Sequence, residues 1–183
     1  MEHTESHQLA TFGSGCFWCT EAVYKRVKGV EKVTSGYSGG KTANPTYEQI
    51  HAQPTGHAEV IQLEFDPTQV TYEQLVEIFF GTHNPTTRNR QGNDVGEEYR
   101  SVIFYHSEEQ KKTAEKIKHD LDEQHIFPGP IVTDIEPYTA FYQAEAYHQE
   151  YYDRNPDQAY CQYVIDPKLA KLRQKFAPLL KPE

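Results

Sequence analysis

Between positions 9 and 105 the apolar residues follow a strand period, a helix period, two strand periods, a helix period and a strand period, in that order. A strand turns alternate residues to one face and a helix every third or fourth, so the spacing separates the two. AEVIQLEF at 58–65 is the clearest strand, alternating along its whole length, and 9–13, 30–37 and 99–105 read as three more. A helix is expected over 17–28, stopped by Gly29. Thr71 and Gln74 make a capping box that opens a second helix, running to about Phe80. The order β-α-β-β-α-β is the split unit of a ferredoxin-like sandwich, so the expected fold is α+β, with two layers.

Two stretches interrupt this order: 38–57, rich in Gly, Pro, Asn and Thr, and the polar 83–98. Loops this long are usually functional or disordered, and on a small sandwich they are expected to carry the active site. Beyond the split unit, Ser107 and Gln110 start a capped helix reaching about His125, and 131–135 reads as an added strand. Residues 141–153 are aromatic-rich and read as helical, and Asp166 with Pro167 suits the N-cap and first turn of a last helix. These make a C-terminal extension of one domain spanning 9–183, preceded by a short frayed tail at 1–8.

Charge narrows the partners. A net charge of −9 argues against a nucleic acid or an anionic membrane, because both need a basic surface. No apolar run approaches the roughly 20 residues that span a bilayer. The N-terminus lacks the basic-then-apolar plan of a signal peptide. A monomer in the cytoplasm is the expectation. Three cysteines, an odd number, do not suggest a secreted disulfide framework; in a reducing compartment such thiols are catalytic, metal-binding or inert. The only methionine is Met1.

GSGCFWC at 13–19 concentrates the chemistry. Cys16 falls between a strand and the first turn of a helix, where unpaired N–H groups and the helix dipole favour an anion and lower a thiol pKa. Gly13 and Gly15 would let another molecule approach the backbone. The plainer reading of Cys16 is a buried, inert thiol. Cys19 completes a Cys-x-x-Cys pair, a spacing suited to thiol–disulfide exchange or to half of a zinc site. Zinc needs a second tight pair, whereas Cys161, His57, His83 and His148 are scattered, so no metal is expected. Phe17 and Trp18 can wall a small apolar cup that suits a thioether methyl, or simply join the core. On these residues alone a thiol peroxidase, a disulfide oxidoreductase and a non-enzymatic metal- or partner-binding module stay open.

Six motifs carry more. They are GCFWC at 15–19, GYSGG at 36–40, NPTYEQI at 44–50, TGHAEV at 55–60, RQGNDVGEEYRS at 90–101 and FYQAEAYHQEYY at 141–152. With them the chain resembles the A-type peptide methionine sulfoxide reductase family from Thr11 to about Cys161. The resemblance implies reduction of methionine S-sulfoxide, free or in oxidised proteins, in repair of oxidative damage and without a prosthetic cofactor. It implies Cys16 as the attacking thiolate, Phe17 and Trp18 around the ε-methyl group, and Glu59 as the acid that protonates the sulfoxide oxygen. It further implies Tyr47 and Tyr99 as donors to that oxygen, Asp94 ordering the pocket, and His148 near its edge.

That set is chemically coherent. A sulfoxide sulfur is a poor electrophile until its oxygen takes up a proton, so a thiolate needs an acid and fixed donors beside it. A semi-buried aromatic pocket holds a carboxyl protonated, as Glu59 would require. Cys16 would become a sulfenic acid, to be resolved by Cys19 or Cys161, which both match resolving positions in relatives. Cys161 is slightly favoured, although it needs a mobile C-terminal segment. Thioredoxin or another dithiol would close the cycle. The chain ends in VIDPKLAKLRQKFAPLLKPE in place of the glycine-rich tail of some relatives, which leaves the recycling geometry open.

Overall fold

The structure, a computed structural model, describes residues 7–182. Residues 1–6 of the expected N-terminal tail lie outside the described residues, and Gln8 already begins the first strand. In chain order the elements are β1 (Gln8–Ser14), α1 (Phe17–Tyr24), β2 (Val30–Ser38), α2 (Tyr47–Ala52), β3 (Ala58–Phe65) and α3 (Tyr72–Gly81). There follow the short strands β4 (Arg90–Gln91) and β5 (Asp94–Val95), then β6 (Ser101–Tyr105), α4 (Glu108–Glu123), β7 (Asp134–Pro137), β8 (Phe141–Gln143), α5 (Tyr151–Arg154) and α6 (Asp166–Phe176). The fold is mixed α+β.

Six strands form one sheet in the order β7-β6-β1-β3-β2-β8, and β4 pairs with β5 as a separate ribbon. Among the described residues only the β6–β7 pairing is parallel. The alternation of β3 divides its residues between two apolar layers. Ile61, Leu63 and Phe65 join Phe12 of β1 and the buried faces of α1, α3 and α6, while Ala58 and Val60 join Val102 and Phe104 of β6 in a smaller layer on the opposite face. Glu59 has the parity of Ile61, so it points to the helix side. Phe12 anchors that side, its ring 5.2 Å from Tyr24 and 5.5 Å from Phe79.

The structure departs from the sequence expectations at six places. The first helix stops at Tyr24, before residue 28, because the chain is drawn off to pair with the C-terminus: Val27 bridges Leu180 and the Lys28 N–H donates to the Leu179 carbonyl at 2.8 Å. The loop at 38–57 contains α2, capped by Thr46 and Gln49 in a reciprocal box. Tyr99 ends a 3₁₀ turn (Glu97–Tyr99), and the strand begins at Ser101. The strand expected at 131–135 runs instead over Asp134–Pro137.

The largest difference is at 141–153, read as a helix. It is β8, a 3₁₀ turn (Ala146–His148) and the single turn α5. Glu150 sits at φ 55°, a left-handed conformation that no helix can run through, and β8 gains ladder bonds by pairing Tyr142 with Tyr37 of β2. Asp166 is the first residue of α6 rather than its N-cap, because the helix is entered directly from a π turn at Cys161–Ile165.

Candidate active site

Gly15 turns the chain from β1 into α1 at φ 101°, where a Cβ would strike the Gln91 side chain at 2.7 Å. Cys16 is therefore the N-cap of α1, with extended backbone (ψ 127°) and only 8% of its surface exposed. The first helical N–H groups have no partner within the helix. That of Phe17 donates to Glu59 Oε1 at 3.2 Å, and that of Trp18 supports the Cys16 sulfur. The same helix end thus serves a thiol and a carboxyl, and Glu59 is 2% exposed.

The aromatic wall is built from three segments. Phe17 lies against Tyr37, ring centroids 5.7 Å apart, and against His148 at 5.0 Å. Trp18 stacks flat on Tyr151, 3.7 Å away with 6° between planes, and its indole N–H donates to His148 Nδ1 at 3.1 Å. His148 Nδ1 is then an acceptor, so its Nε2 carries the proton in the neutral ring, and burial favours that neutral form. Nε2 is buried without a protein partner, which leaves one free donor facing the aromatic cluster. Tyr47 packs on the other side of His148 at 4.6 Å.

Two carboxylates, Glu21 buried and Glu145 half-buried, hold this wall in place. Glu21, one turn beyond Phe17 on α1, accepts from Ser35 Oγ (3.1 Å) and from the Glu150 N–H (2.8 Å), which ties the 145–151 segment to the helix. Glu145 accepts from the Tyr37 hydroxyl (3.2 Å) and the Tyr47 N–H (3.1 Å).

Glu59 Oε2 lies 3.3 Å from His51 Nε2, and His51 Nδ1 lies 3.3 Å from Glu98 Oε1. The His51 ring is 4.2 Å from Tyr47 and 5.8 Å from Tyr99. Burial pushes the Glu59 carboxyl above its usual range, opposed by His51 and by the Phe17 N–H. Burial also pushes the Tyr47 hydroxyl up to about 12 and the Tyr99 hydroxyl higher still, with the Glu59 charge adding to both. Both phenols stay protonated as hydrogen-bond donors.

The thiols differ from the sequence expectation. The helix start was expected to lower the Cys16 pKa. Burial, Cys19 and the Glu59 charge push it well up instead, and the Trp18 N–H opposes them only in part. Cys19, one turn on, is lowered to about 7, chiefly by its hydrogen bond with Cys16. The Tyr160 hydroxyl lies 3.6 Å from the Cys19 sulfur and donates to Asp94 Oδ2 at 2.7 Å. Cys161 is fully buried in the π turn, its pKa raised by burial and by Cys19. None of the three cysteines is joined in a disulfide.

Nine of the ten residues singled out in the sequence thus gather around the start of α1: Cys16, Phe17, Trp18, Cys19, Tyr47, Glu59, Asp94, Tyr99 and His148. Cys161 reaches the group only through Cys19. Sequence reasoning missed His51, Glu98, Tyr160, Tyr151, Glu21 and Glu145. His51 had a signal, since it follows Tyr47 by four residues on a capped helix and must share its face. Among the described residues no cluster of three or more His, Cys, Asp or Glu side chains is arranged to hold a metal ion, and no helix is long and apolar enough to cross a membrane.

Known proteins resemble this chain along most of its length. The family model described as peptide methionine sulfoxide reductase matches residues 8–179. A peptide methionine sulfoxide reductase MsrA of Acinetobacter baumannii is 56% identical over 174 residues, covering 95% of this chain and 99% of the relative. Mxr1 from Saccharomyces cerevisiae, solved in a reduced form, superposes with a TM-score of 0.78 at 35% identity, covering 88% of this chain and 92% of that one. Mxr1 in complex with Trx2 superposes with a TM-score of 0.55 at 29% identity, over 82% of this chain and 88% of that one.

Proposed function

The chain belongs to the peptide methionine sulfoxide reductase family, and we propose that it reduces the S epimer of methionine sulfoxide with Cys16 as nucleophile and Glu59 as the acid. The observation that carries this reading is the shared helix end. Phe17 N–H binds the buried Glu59 carboxyl, and the adjacent Cys16 sulfur lies at the foot of an aromatic wall. A negative charge on Glu59 opposes ionisation of Cys16, so the thiolate is favoured when the carboxyl is protonated. The sulfoxide oxygen, held by the Tyr47 and Tyr99 hydroxyls and the free His148 Nε2–H, takes the proton from Glu59. The Cys16 thiolate attacks the sulfoxide sulfur at the same time. Oxygen ends on Cys16 as a sulfenic acid, and methionine leaves. Phe17 and Trp18 hold the ε-methyl group, which packs well on aromatic rings.

Cys19 then attacks the Cys16 sulfur, releasing water and forming a disulfide. It is one turn from its target, and the Lys168 charge and the Tyr160 hydroxyl still favour its thiolate once Cys16 is oxidised. Cys161 takes over the disulfide by exchange with Cys19. A thioredoxin-like dithiol reduces it; the complex of the relative Mxr1 with Trx2 supports that partner. No prosthetic group takes part in this scheme, and the reading extends to protein repair in the cytoplasm by a monomer.

We also read residues 8–182 as one catalytic domain on a ferredoxin-like core. Support comes from the antiparallel order β6-β1-β3-β2, with α1 and α3 in the two crossovers and β7 and β8 as added edges.

Two measurements test the chemistry. With dithiothreitol as reductant, the S epimer is expected to be consumed and the R epimer left; consumption of R alone would overturn the reading. Mass mapping after one turnover is expected to find Cys19–Cys161 in the wild type and Cys16–Cys19 in Cys161→Ser. A Cys16–Cys161 link in the wild type, with an unresolved sulfenic acid in Cys161→Ser, would remove Cys19 from the relay.

A further inference from the structure

Glu59 must regain its proton in every cycle, yet it is sealed from solvent. Its Oε1 faces the Phe17 amide, which does not exchange protons on the catalytic timescale, and its Oε2 faces His51 Nε2 at 3.3 Å. His51 touches Glu59 and also reaches water, with 24% of its side chain exposed. Its other nitrogen is held 3.3 Å from Glu98 Oε1, so the ring is fixed at both ends. We propose that His51 is the proton port of Glu59, a positioning residue that hands solvent protons to the buried carboxyl while Glu98 orients it. The proposal rests on the reading of Glu59 as the acid.

The proton path balances. Glu59 loses H⁺ to the sulfoxide oxygen, protonated His51 gives H⁺ through Nε2 to Glu59, and neutral His51 recovers H⁺ from water. No electrons move in this branch. Without the port, Glu59 can be recharged only by the Cys16 thiol or by bulk acid. The groups facing His51 are Glu59 from β3, Glu98 and Tyr99 from the 3₁₀ turn, Tyr47 from its own helix, and His148 from the 145–151 segment. The hydrogen bond to Glu59 and the charge of Glu98 raise the His51 pKa, against burial, while burial keeps His148 neutral. Protonated His51 therefore persists above the ordinary imidazole range. The port is open below that raised pKa and closes as pH rises through it.

The test is the multiple-turnover rate of methionine release under saturating dithiothreitol, measured across pH with His51→Gln. Glutamine keeps a donor toward Glu59 but cannot titrate. The rate is expected to stay within about twofold of wild type near pH 6, where acid entering as the pocket exchanges product for substrate recharges Glu59, and to slow about tenfold near pH 8, a modest share of the usual general-acid contribution. In a second variant, His51→Ala, added imidazole is expected to restore the lost rate at high pH. A loss equal at every pH, with no imidazole rescue, or an unchanged profile would overturn the port. Glu59→Gln measured in parallel separates the two ideas. If Glu59→Gln keeps the wild-type rate, the acid assignment itself fails; if it loses the rate while His51→Gln behaves as wild type, only the port fails.

Discussion

Replacing Cys16 by serine is expected to lower methionine sulfoxide turnover by at least about 10⁴-fold, the scale of loss when a covalent nucleophile is removed. The hydroxyl matches the thiol in shape but stays protonated where a thiol can ionise, and it cannot accept the oxygen as a sulfenic acid. The fold should tolerate the change. Cys16 is an N-cap, a position that serine favours, and its side chain makes no capping hydrogen bond that could be lost. A melting temperature close to that of the wild type beside an abolished rate would place the loss in the chemistry. Initial rates with the S epimer and dithiothreitol decide it, and turnover near the wild-type rate in Cys16→Ser would refute Cys16 as nucleophile.

Cys16 also marks how far local sequence carries. Its place between strand and helix was legible from the glycines before it and the helical spacing after it. The helix-end rule describes one contribution to its pKa, the N–H groups, and that contribution is present through Trp18. The opposing ones come from elsewhere: burial under the aromatic wall and the charge of Glu59, 43 positions away in sequence. No local pattern encodes them.

The same division holds across the site. TYEQ occurs twice, at 46–49 and 71–74, and opens a helix both times with the same reciprocal cap. The second copy was legible because an apolar helical run follows it. The first was hidden by the Gly, Pro and Asn around it and by its length of six residues. Residues 141–153 show the reverse error. Their aromatic spacing suggested a helix, but Trp18 sets the geometry by stacking on Tyr151, as does Glu21 by capturing the Glu150 N–H. Those partners lie more than 120 residues apart in sequence, and such contacts override local propensity.

Glu59→Gln is expected to cut the rate of the attack step by about 10²–10⁴-fold while leaving the protein at least as stable near pH 8. The two effects have one cause. Burial raises the Glu59 pKa, so the folded protein holds a proton there that the unfolded chain releases at lower pH. A raised carboxyl pKa gives stability that is present below the unfolded value and lost as pH rises through the folded one. Above that window the wild type carries a buried carboxylate, relieved in part by His51 and the Phe17 N–H. Glutamine keeps an oxygen for the Phe17 N–H and removes the charge, so thermal melts should show the variant gaining on the wild type as pH rises. The lost charge also ceases to raise the Cys16 pKa, so thiol alkylation at Cys16 should quicken in the variant. A slower catalyst with a more reactive thiol cannot be explained by a damaged nucleophile; it isolates the missing proton. A variant that alkylates no faster than the wild type, or that still reduces sulfoxide at full rate, would separate Glu59 from both the thiol and the chemistry.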